Sequence, residues 1–255
     1  MTSTINFLNS IGHSQKVYIR CLSPKNTPLP ELEARGMTYI DKSGKVKKST
    51  VNGYIELQTG EFYRRYGKDY KPVTDGWVHL LELNQQGYGV YYVVGYGGER
   101  NSDITHGTAL FHESDRATLD HQQLEIDRIS LDFGKPTAVV QTKKSLHAYW
   151  ASAETIPIEN LATYQRRWLQ YSNCDDSSLS DPAQLMRLPG FDHLAWNGTD
   201  LDRIQCELIQ LNDVKYSLTE FEQVLPVLDV DRYCHQSLEL IESDASDTDM
   251  RVLAQ

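Results

Sequence analysis

Two short apolar segments separated by a polar turn limit what this chain can fold into. Residues 137–141 (TAVVQ) and 147–151 (HAYWA) have strand composition, and the turn TKKSL lies between them. Pro136 interrupts the chain just before the first segment. Strands joined by so short a turn pair antiparallel. The pattern therefore predicts an antiparallel pair and disfavours a doubly wound parallel sheet.

The remaining segments alternate between strand and helix patterns without an internal repeat. Val-, Ile- and Tyr-rich or apolar runs predict further strands, at residues 12–20, 53–66, 77–83, 88–94, 108–111 and 204–211. Residues 41–49 (DKSGKVKKS) are typical of a polar hairpin tip. Helical spacing predicts helices, at residues 119–129, 159–171 and from 218–224 onward. The first of these helices is predicted to bury Leu124, Ile126 and Ile129. The fold class is predicted to be α+β, with mixed or antiparallel sheets and flanking helices.

Charge is unevenly distributed along the 255 residues. The formal net charge is −10, which argues against nucleic-acid binding driven by net charge alone. Residues 12–72 nevertheless carry twelve Lys or Arg against six Asp or Glu, which is a weak indication of a polyanionic partner. Residues 226–255 carry two basic and seven acidic residues, and 242–249 is expected to be a disordered acidic end.

The four cysteines lie far apart, without a C-x-x-C pair. This spacing argues against a structural zinc site and is typical of reduced thiols in a cytoplasmic protein. No apolar run approaches the roughly 18 to 20 residues that span a bilayer, and the first twelve residues do not resemble a signal peptide. We therefore expect a cytoplasmic protein without a membrane partner.

Two carboxylates follow a predicted strand in the segment FHESD. On an extended backbone Glu113 and Asp115 point to the same side, so both can reach the same hard cations. Taken alone, an E-x-D pair more often represents surface charge or a helix cap.

The turn between the two opening strands reads Thr-Lys-Lys-Ser-Leu-His. Lys144, Ser145 and His147 can donate hydrogen bonds to a triphosphate there. Taken alone, the string also fits a basic hairpin turn with a half-buried histidine.

A third segment carries another carboxylate and an arginine. Asp176 precedes a predicted short helix, capped by Asp181 with Pro182 at its first position, and Arg187 closes it before a Pro-Gly turn. A well-capped helix without further function is an equally good interpretation of this segment alone.

Together, the acidic pair, the Ser-x-His turn and the later aspartate with R-L-P-G at 187–190 resemble the archaeo-eukaryotic primase (AEP) superfamily. The resemblance is to the primase-polymerases of plasmids, phages and other mobile elements, and it is specific from residue 109 to residue 190. The chain departs from the pattern in three places. The acidic pair begins with Glu113, Lys143 stands where glycine is frequent, and Gln184 stands where a second arginine is frequent.

The resemblance implies a role for each matching residue. Glu113, Asp115 and Asp176 would be the catalytic residues that ligate two Mg²⁺ or Mn²⁺ ions, with Asp175 and Asp181 left open as alternatives for the third ligand. The implied nucleotide-binding residues are Lys144, Ser145, His147 and Arg187. The implied fold is an RRM-like catalytic core at 91–215, with an N-terminal basic α/β part at 1–90 and a C-terminal helix and acidic tail at 216–255.

The implied activity is DNA-dependent primer synthesis or extension from NTP or dNTP on a single-stranded DNA template, in replication of a mobile element. A helicase, as a further domain or as a separate protein, is a possible partner. Two alternatives stay open: a catalytically idle nucleic-acid-binding or initiator module, and a metal-dependent nuclease using the same carboxylates.

Overall fold

The computed structural model describes residues 1–114, 117–174 and 176–228. The strands in these residues are β1 Lys16–Leu22, β2 Thr38–Ile40, β3 Val46–Lys48, β4 Thr50–Glu56, β5 Phe62–Tyr66, β6 Asp69–Val73, β7 Gly89–Val93, β8 His106–His112, β9 Ala138–Gln141, β10 Leu146–Pro157, β11 Leu185–Arg187, β12 Asp192–Trp196, β13 Leu201–Gln205 and β14 Glu207–Leu211. The α-helices are α1 Thr2–Ser10, α2 Leu29–Ala34, α3 Gly76–Gln86, α4 Leu119–Asp132, α5 Ile158–Tyr171 and α6 Leu218–Val224. The predicted acidic end at 242–249 lies outside the described residues.

A six-stranded sheet contains most of the N-terminal strands, in the order β11-β7-β1-β4-β5-β6. Strands β1 and β4 alternate between buried and partly exposed residues, as expected when one face covers a core. Helices α1, α2 and α3 contribute Phe7, Leu32 and Leu80 to that core. Strand β11 joins this sheet from far along the chain, so the sheet includes residues on both sides of position 90. The predicted division into three parts stays a prediction.

A second sheet has four antiparallel strands, in the order β14-β9-β10-β8. Strand β10 lies between β9 and β8 and is buried on both faces along its first half. Tyr149 faces one hydrophobic core, and Trp150 faces the other, where its ring centroid lies 4.8 Å from that of Trp168 on α5. The antiparallel pairing of the two opening segments is thus confirmed, as is the α+β fold class.

One predicted strand is a helix. Residues 77–83 and 88–94 were both predicted to be strands, but the first segment belongs to helix α3, and only the second contains a strand, β7. The buried positions Leu80, Leu83 and Asn84 are three and four residues apart, which is helical spacing. Gly87 ends the helix with a φ of 127°, a conformation that glycine adopts without strain.

Three smaller predictions were also wrong. Leu124 on α4 is 65% exposed, and Gln122 is buried in its place. Residues 204–211 form parts of two strands, β13 and β14, separated at Cys206. The helix predicted after Asp181 is absent from the described residues there; a 3-10 helix, Ser177–Ser180, precedes Asp181, and strand β11 follows it.

No helix in the described ranges is both long and apolar enough to cross a membrane. Cys21, Cys174 and Cys206 are buried free thiols, and Cys234 lies outside the described residues.

Candidate functional site

The ends of two paired strands bring the first two predicted motifs together. Strands β8 and β10 are antiparallel, with Ala148 opposite His112. Glu113, the next residue after β8, therefore lies beside the beginning of β10. Ser145 and His147 are two residues apart there and point to the same side, as an extended backbone requires.

Both side chains contact the same carboxylate oxygen. The Ser145 hydroxyl donates a hydrogen bond to Oε1 of Glu113 over 3.1 Å, and Nε2 of His147 lies 3.0 Å from that atom. The Ser145 Oγ and the His147 Nε2 are 3.2 Å apart. Ser145 and His147 are buried, with 2% and 3% of their surface exposed. The three polar groups thus form a closed cluster at the sheet edge.

The cluster keeps the Glu113 carboxylate ionised. Burial alone would raise its pKa, but the charge and hydrogen bond of His147, the hydrogen bond of Ser145 and the positive charge of Arg187 outweigh burial and lower the pKa to about 2. Glu113 therefore presents a negative oxygen pair at neutral pH, which is the state that a hard cation requires of a ligand.

The turn that carries Ser145 is held from two sides. The Thr142 hydroxyl accepts a hydrogen bond from the Ser145 amide, and Lys143 Nζ lies 2.7 Å from Oδ2 of Asp202. Gln122 on α4 donates to the Lys144 carbonyl over 3.1 Å and accepts from the Leu146 amide over 2.7 Å. The same Gln122 amide donates to the Ala117 carbonyl over 2.8 Å.

Gln122 was missed by the sequence analysis because a polar residue on a helix is normally assigned to solvent. It is 1% exposed and joins the turn to the segment that follows Glu113. A signal was present in the sequence: with Leu124 taken as buried, the apolar stripe of α4 is irregular, and helical spacing back from Ile126 and Ile129 leads to Gln122.

The third predicted segment, which contains Asp176, lies beside the same end of strand β8. The Cys174 thiol donates to the Glu113 carbonyl over 2.9 Å, which holds this segment against the end of β8. Asp176 follows, exposed, with its carboxylate accepting from the amide and hydroxyl of Ser178 at 3.0 and 2.6 Å. Cys174 was not predicted to be part of the site.

Arg187 comes from the other sheet. It lies on β11, opposite Tyr91 of β7, with its guanidinium carbon 4.7 Å from the centre of the Tyr91 ring. The prediction placed it at the end of a helix; pairing with β7, with Met186 buried, makes the segment a strand instead.

These residues surround one cleft with a volume of about 630 Å³. Six of the seven predicted site residues line it: Glu113, Lys144, Ser145, His147, Asp176 and Arg187. Asp115 lies outside the described residues, and so does Asp175. Asp181 is not among the residues lining this cleft.

The lining of the cleft carries more basic than acidic side chains, although the net charge of the chain is negative: Lys25, Lys144 and Arg187 against Glu113 and Asp176. Among the described residues, neither Lys144 nor Arg187 forms an ion pair. Burial, together with the positive charges of Arg187, His147, Lys143 and Lys144, lowers the pKa of the cleft residue His193 to about 3. Unpaired cations in a concave site attract anions such as phosphates.

The donor set suits a divalent cation that is shared with a phosphorylated substrate. Within the described residues no three His, Cys, Asp or Glu side chains are close enough together to hold a metal by themselves. Mg²⁺ is commonly held by one or two carboxylates and completed by substrate phosphates and water. Glu113, ionised at the edge of the cleft, and Asp176, which lines it, fit that pattern.

No family sequence model matches the chain, and no curated protein matches it by sequence. Three solved structures share its fold. The AEP domain of the cyanophage S-2L primase-polymerase aligns with a TM-score of 0.59 at 21% identity, over 89% of this chain and 98% of that one. Primase RepB′ aligns with a TM-score of 0.56 at 13% identity, over 98% of this chain and 68% of that one. The RepB′ catalytic domain in complex with initiator DNA aligns with a TM-score of 0.52 at 15% identity, over 94% and 96%. The α+β fold of AEP domains that the resemblance implied is therefore confirmed, while the bounds of its three parts stay a prediction.

Proposed function

We propose that this chain, which has the fold of AEP primase-polymerase domains, is a member of that superfamily and a DNA-dependent primase-polymerase. It transfers nucleotides from NTP or dNTP onto a 3′-hydroxyl, on a single-stranded DNA template, in the replication of a mobile element. The DNA partner is supported by the solved RepB′ catalytic domain, which is in complex with initiator DNA.

One observation carries the proposal. The ionised Glu113 carboxylate lies within hydrogen-bond distance of Ser145 and His147, at the edge of a cleft that also contains the unpaired Lys144 and Arg187. A cation-binding carboxylate beside a set of phosphate donors is what joining a nucleoside triphosphate to a hydroxyl requires.

Glu113, Asp115 and Asp176 would hold two Mg²⁺ or Mn²⁺ ions. Such ions, when bound, lower the pKa of an attacking hydroxyl and neutralise charge on the leaving pyrophosphate. The protein keeps Glu113 ionised through His147, Ser145 and Arg187 before any ligand arrives. A ligand that is already ionised binds a cation without first losing a proton.

Four residues would bind and orient the triphosphate. Ser145 and His147 would exchange their contacts with Glu113 for hydrogen bonds to phosphate oxygens, and Lys144 and Arg187 would add positive charge. Gln122 holds the backbone on both sides of Ser145, so these donors are in place before the nucleotide binds. Arg187 is positioned by its contact with the Tyr91 ring, on a strand of the other sheet.

A primer-synthesis and primer-extension assay on single-stranded DNA, with Mg²⁺ or Mn²⁺ and with NTP or dNTP, tests the proposal. Glu113→Gln removes the charged ligand and is expected to lower the rate by on the order of 10²–10³-fold. The matched control is Glu207→Gln, because Glu207 is exposed on β14 and is not among the residues that line the cleft. A Glu113→Gln protein as active as the wild type would overturn the metal assignment.

Two further measurements separate the alternative functions. Calorimetry with Mn²⁺ and dNTP is expected to give metal-dependent nucleotide binding, whereas an idle DNA-binding module would give none. Labelled DNA incubated with metal and no nucleotide is expected to remain intact, whereas a nuclease would cleave it.

A further inference from the structure

The partly exposed face of the six-stranded sheet carries a row of tyrosines that the catalytic cluster does not use. Tyr18, Tyr54, Tyr63 and Tyr70 come from four successive strands, β1, β4, β5 and β6. Tyr54 is directly opposite both Tyr18 and Tyr63. We call these four residues the tyrosine row.

The rings form one continuous aromatic surface. The Tyr54 ring is stacked on Tyr63, with centroids 4.9 Å apart and planes 11° apart. It also lies 5.1 Å from the Tyr70 ring and 5.7 Å from the Tyr18 ring. Tyr70 is 37% exposed, and the other three are partly exposed. Cross-strand aromatic pairs stabilise sheets, which accounts for the stacking but not for the charges around it.

Basic groups accompany the tyrosine row. Strands β1, β4, β5 and β6 carry five Lys or Arg and two Asp or Glu, in a protein of net charge −10. Lys16 Nζ lies 4.5 Å above the Tyr54 ring. Two acids lie next to the row. Glu99 is buried and bound by Arg65 at 2.6 Å and by the Tyr70 hydroxyl at 3.2 Å, so it exposes little negative charge. Glu61 is exposed and accepts a hydrogen bond from the Tyr63 hydroxyl over 2.8 Å.

Arg20 connects the row to the cleft. On β1 it lies two residues from both Tyr18 of the row and Leu22 of the cleft wall, and it is opposite the cleft residue Tyr91. Among the described residues Arg20 has no ion-pair partner. An unpaired cation between a phosphate-binding cleft and an aromatic surface is suited to a phosphodiester backbone.

We propose that the tyrosine row, with Lys16 and Arg20, is a binding surface for single-stranded DNA that continues from the catalytic cleft. Bases stack on the exposed rings and Arg20 contacts the backbone, a combination that does not depend on sequence. From β7 to β6 there are four strand spacings of about 4.8 Å, or about 19 Å in all, which suits several nucleotides. This proposal rests on the proposed function, because the strand held here is the template.

Binding of the full chain to a fluorescent oligothymidylate of about 20 nucleotides, followed by anisotropy, tests the proposal. EDTA and the absence of nucleotide make the measurement independent of catalysis. Tyr63→Ser and Tyr70→Ser are each expected to weaken binding about 5- to 100-fold. Tyr63→Phe keeps the ring and is expected to bind within about twofold of the wild type. Tyr39→Ser is the control, because Tyr39 is an exposed tyrosine on β2, outside this sheet.

Arg20→Gln provides a second readout. It is expected to reduce the slope of log affinity against log salt by about one, as the loss of one phosphate contact does. Thermal unfolding identifies any variant that has failed to fold. Tyr70→Ser is the variant expected to disturb folding least, because Tyr70 lies on the edge strand β6.

Two results would overturn the proposal: wild-type affinity in folded Tyr63→Ser and Tyr70→Ser proteins, or equal weakening by Tyr63→Phe and Tyr63→Ser. Failure of the proposed function is distinguishable from both. If the chain synthesises no primer but gives the expected anisotropy pattern, the proposed polymerase activity is wrong and the proposed DNA-binding surface stands. If the chain extends primers but every variant binds DNA like the wild type, only the proposed DNA-binding surface is wrong.

Discussion

Nε2 of His147 lies 3.0 Å from Oε1 of Glu113, so the imidazole of one motif and the carboxylate of another form a single unit. Each group depends on the other. The imidazole helps to lower the carboxylate pKa to about 2, and the carboxylate fixes the direction of the ring. A substitution of either residue is therefore expected to change the environment of both side chains.

We expect His147→Ala to weaken nucleotide binding by about 10- to 100-fold, because a phosphate donor is lost and Glu113 loses its principal partner. The fold is expected to remain intact, since the β9–β10 pairing does not require the imidazole. Calorimetric titration with dNTP and Mn²⁺ measures the affinity. His121→Ala, at an exposed position on α4, is the control. Wild-type nucleotide affinity would remove His147 from the nucleotide site.

Gln122→Leu is expected to lower the free energy of unfolding by about 2–4 kcal/mol, because the buried Leu146 amide and two carbonyls lose their partner. It is also expected to raise the KM for nucleotide by about tenfold through loss of the turn geometry. Urea unfolding and steady-state kinetics check the two effects separately.

Gln122→Glu distinguishes positioning from general stability. It keeps an acceptor for the Leu146 amide but has at most one donor, in its protonated form, for the two carbonyls, so an intermediate KM is expected. Gln123→Leu, at the exposed neighbouring position, is expected to change neither quantity. A Gln122→Leu protein that is destabilised but has a wild-type KM would mean that the residue only stabilises the fold.

Asp176 and Asp181 are predicted to behave differently. Asp176 lines the cleft, whereas Asp181 lies on a separate small apolar cavity of about 10 Å³. Asp176→Asn is expected to reduce primer extension by at least about tenfold, and Asp181→Asn to leave it near wild type. Both substitutions keep the side-chain size, so extension rates compare the charges alone. The reverse order of effects would assign the third ligand to Asp181.

Acidification is expected to destabilise the protein partly through His13. Burial lowers the pKa of this histidine from 6.5 to about 4. Between these values the unfolded chain binds a proton that the native protein does not, so stability is greatest above about pH 6.5 and falls as the pH drops to about 4. The contribution is on the order of 3 kcal/mol.

His13→Phe removes this contribution and keeps a ring beside Tyr92 and Tyr96. Denaturant unfolding at about pH 7 and about pH 4 is expected to show a smaller loss of stability in the variant. Part of the loss remains, because burial also lowers the pKa of His112 to about 4. An unchanged difference between the two pH values would contradict the assignment to His13.

The site was predictable from the sequence where its residues follow strand ends. Ser145 immediately precedes strand β10 and His147 is its second residue, while Glu113 follows strand β8. Residues two apart on an extended backbone point to the same side, so local geometry is enough to expect Ser145 and His147 on a common face. Their meeting at one oxygen depends on the register between β8 and β10, which no local pattern determines.

Other features depend on distant contacts. Residues 77–83 contain Trp, Val and Leu, which suit a strand locally, yet the packing of Leu80 and Leu83 against the sheet makes them a helix. The 185–187 segment is a strand because it pairs with β7, almost a hundred residues earlier. Gln122 is buried because its amide fits three backbone groups, a fit that exists only in the folded protein.

Residues from both sheets line the cleft. Tyr91 and Arg187 belong to the six-stranded sheet, and His147 belongs to the four-stranded sheet, with Ser145 directly before its strand β10. A ligand that contacts all four adds a link between two sheets that are already joined by side-chain packing and by backbone hydrogen bonds such as those between Tyr96 and His106. Bound nucleotide should therefore raise the melting temperature, with about 2.7 kcal/mol of added stability at a hundredfold excess over Kd. Such a thermal shift would be seen even in a variant that binds nucleotide but no longer reacts.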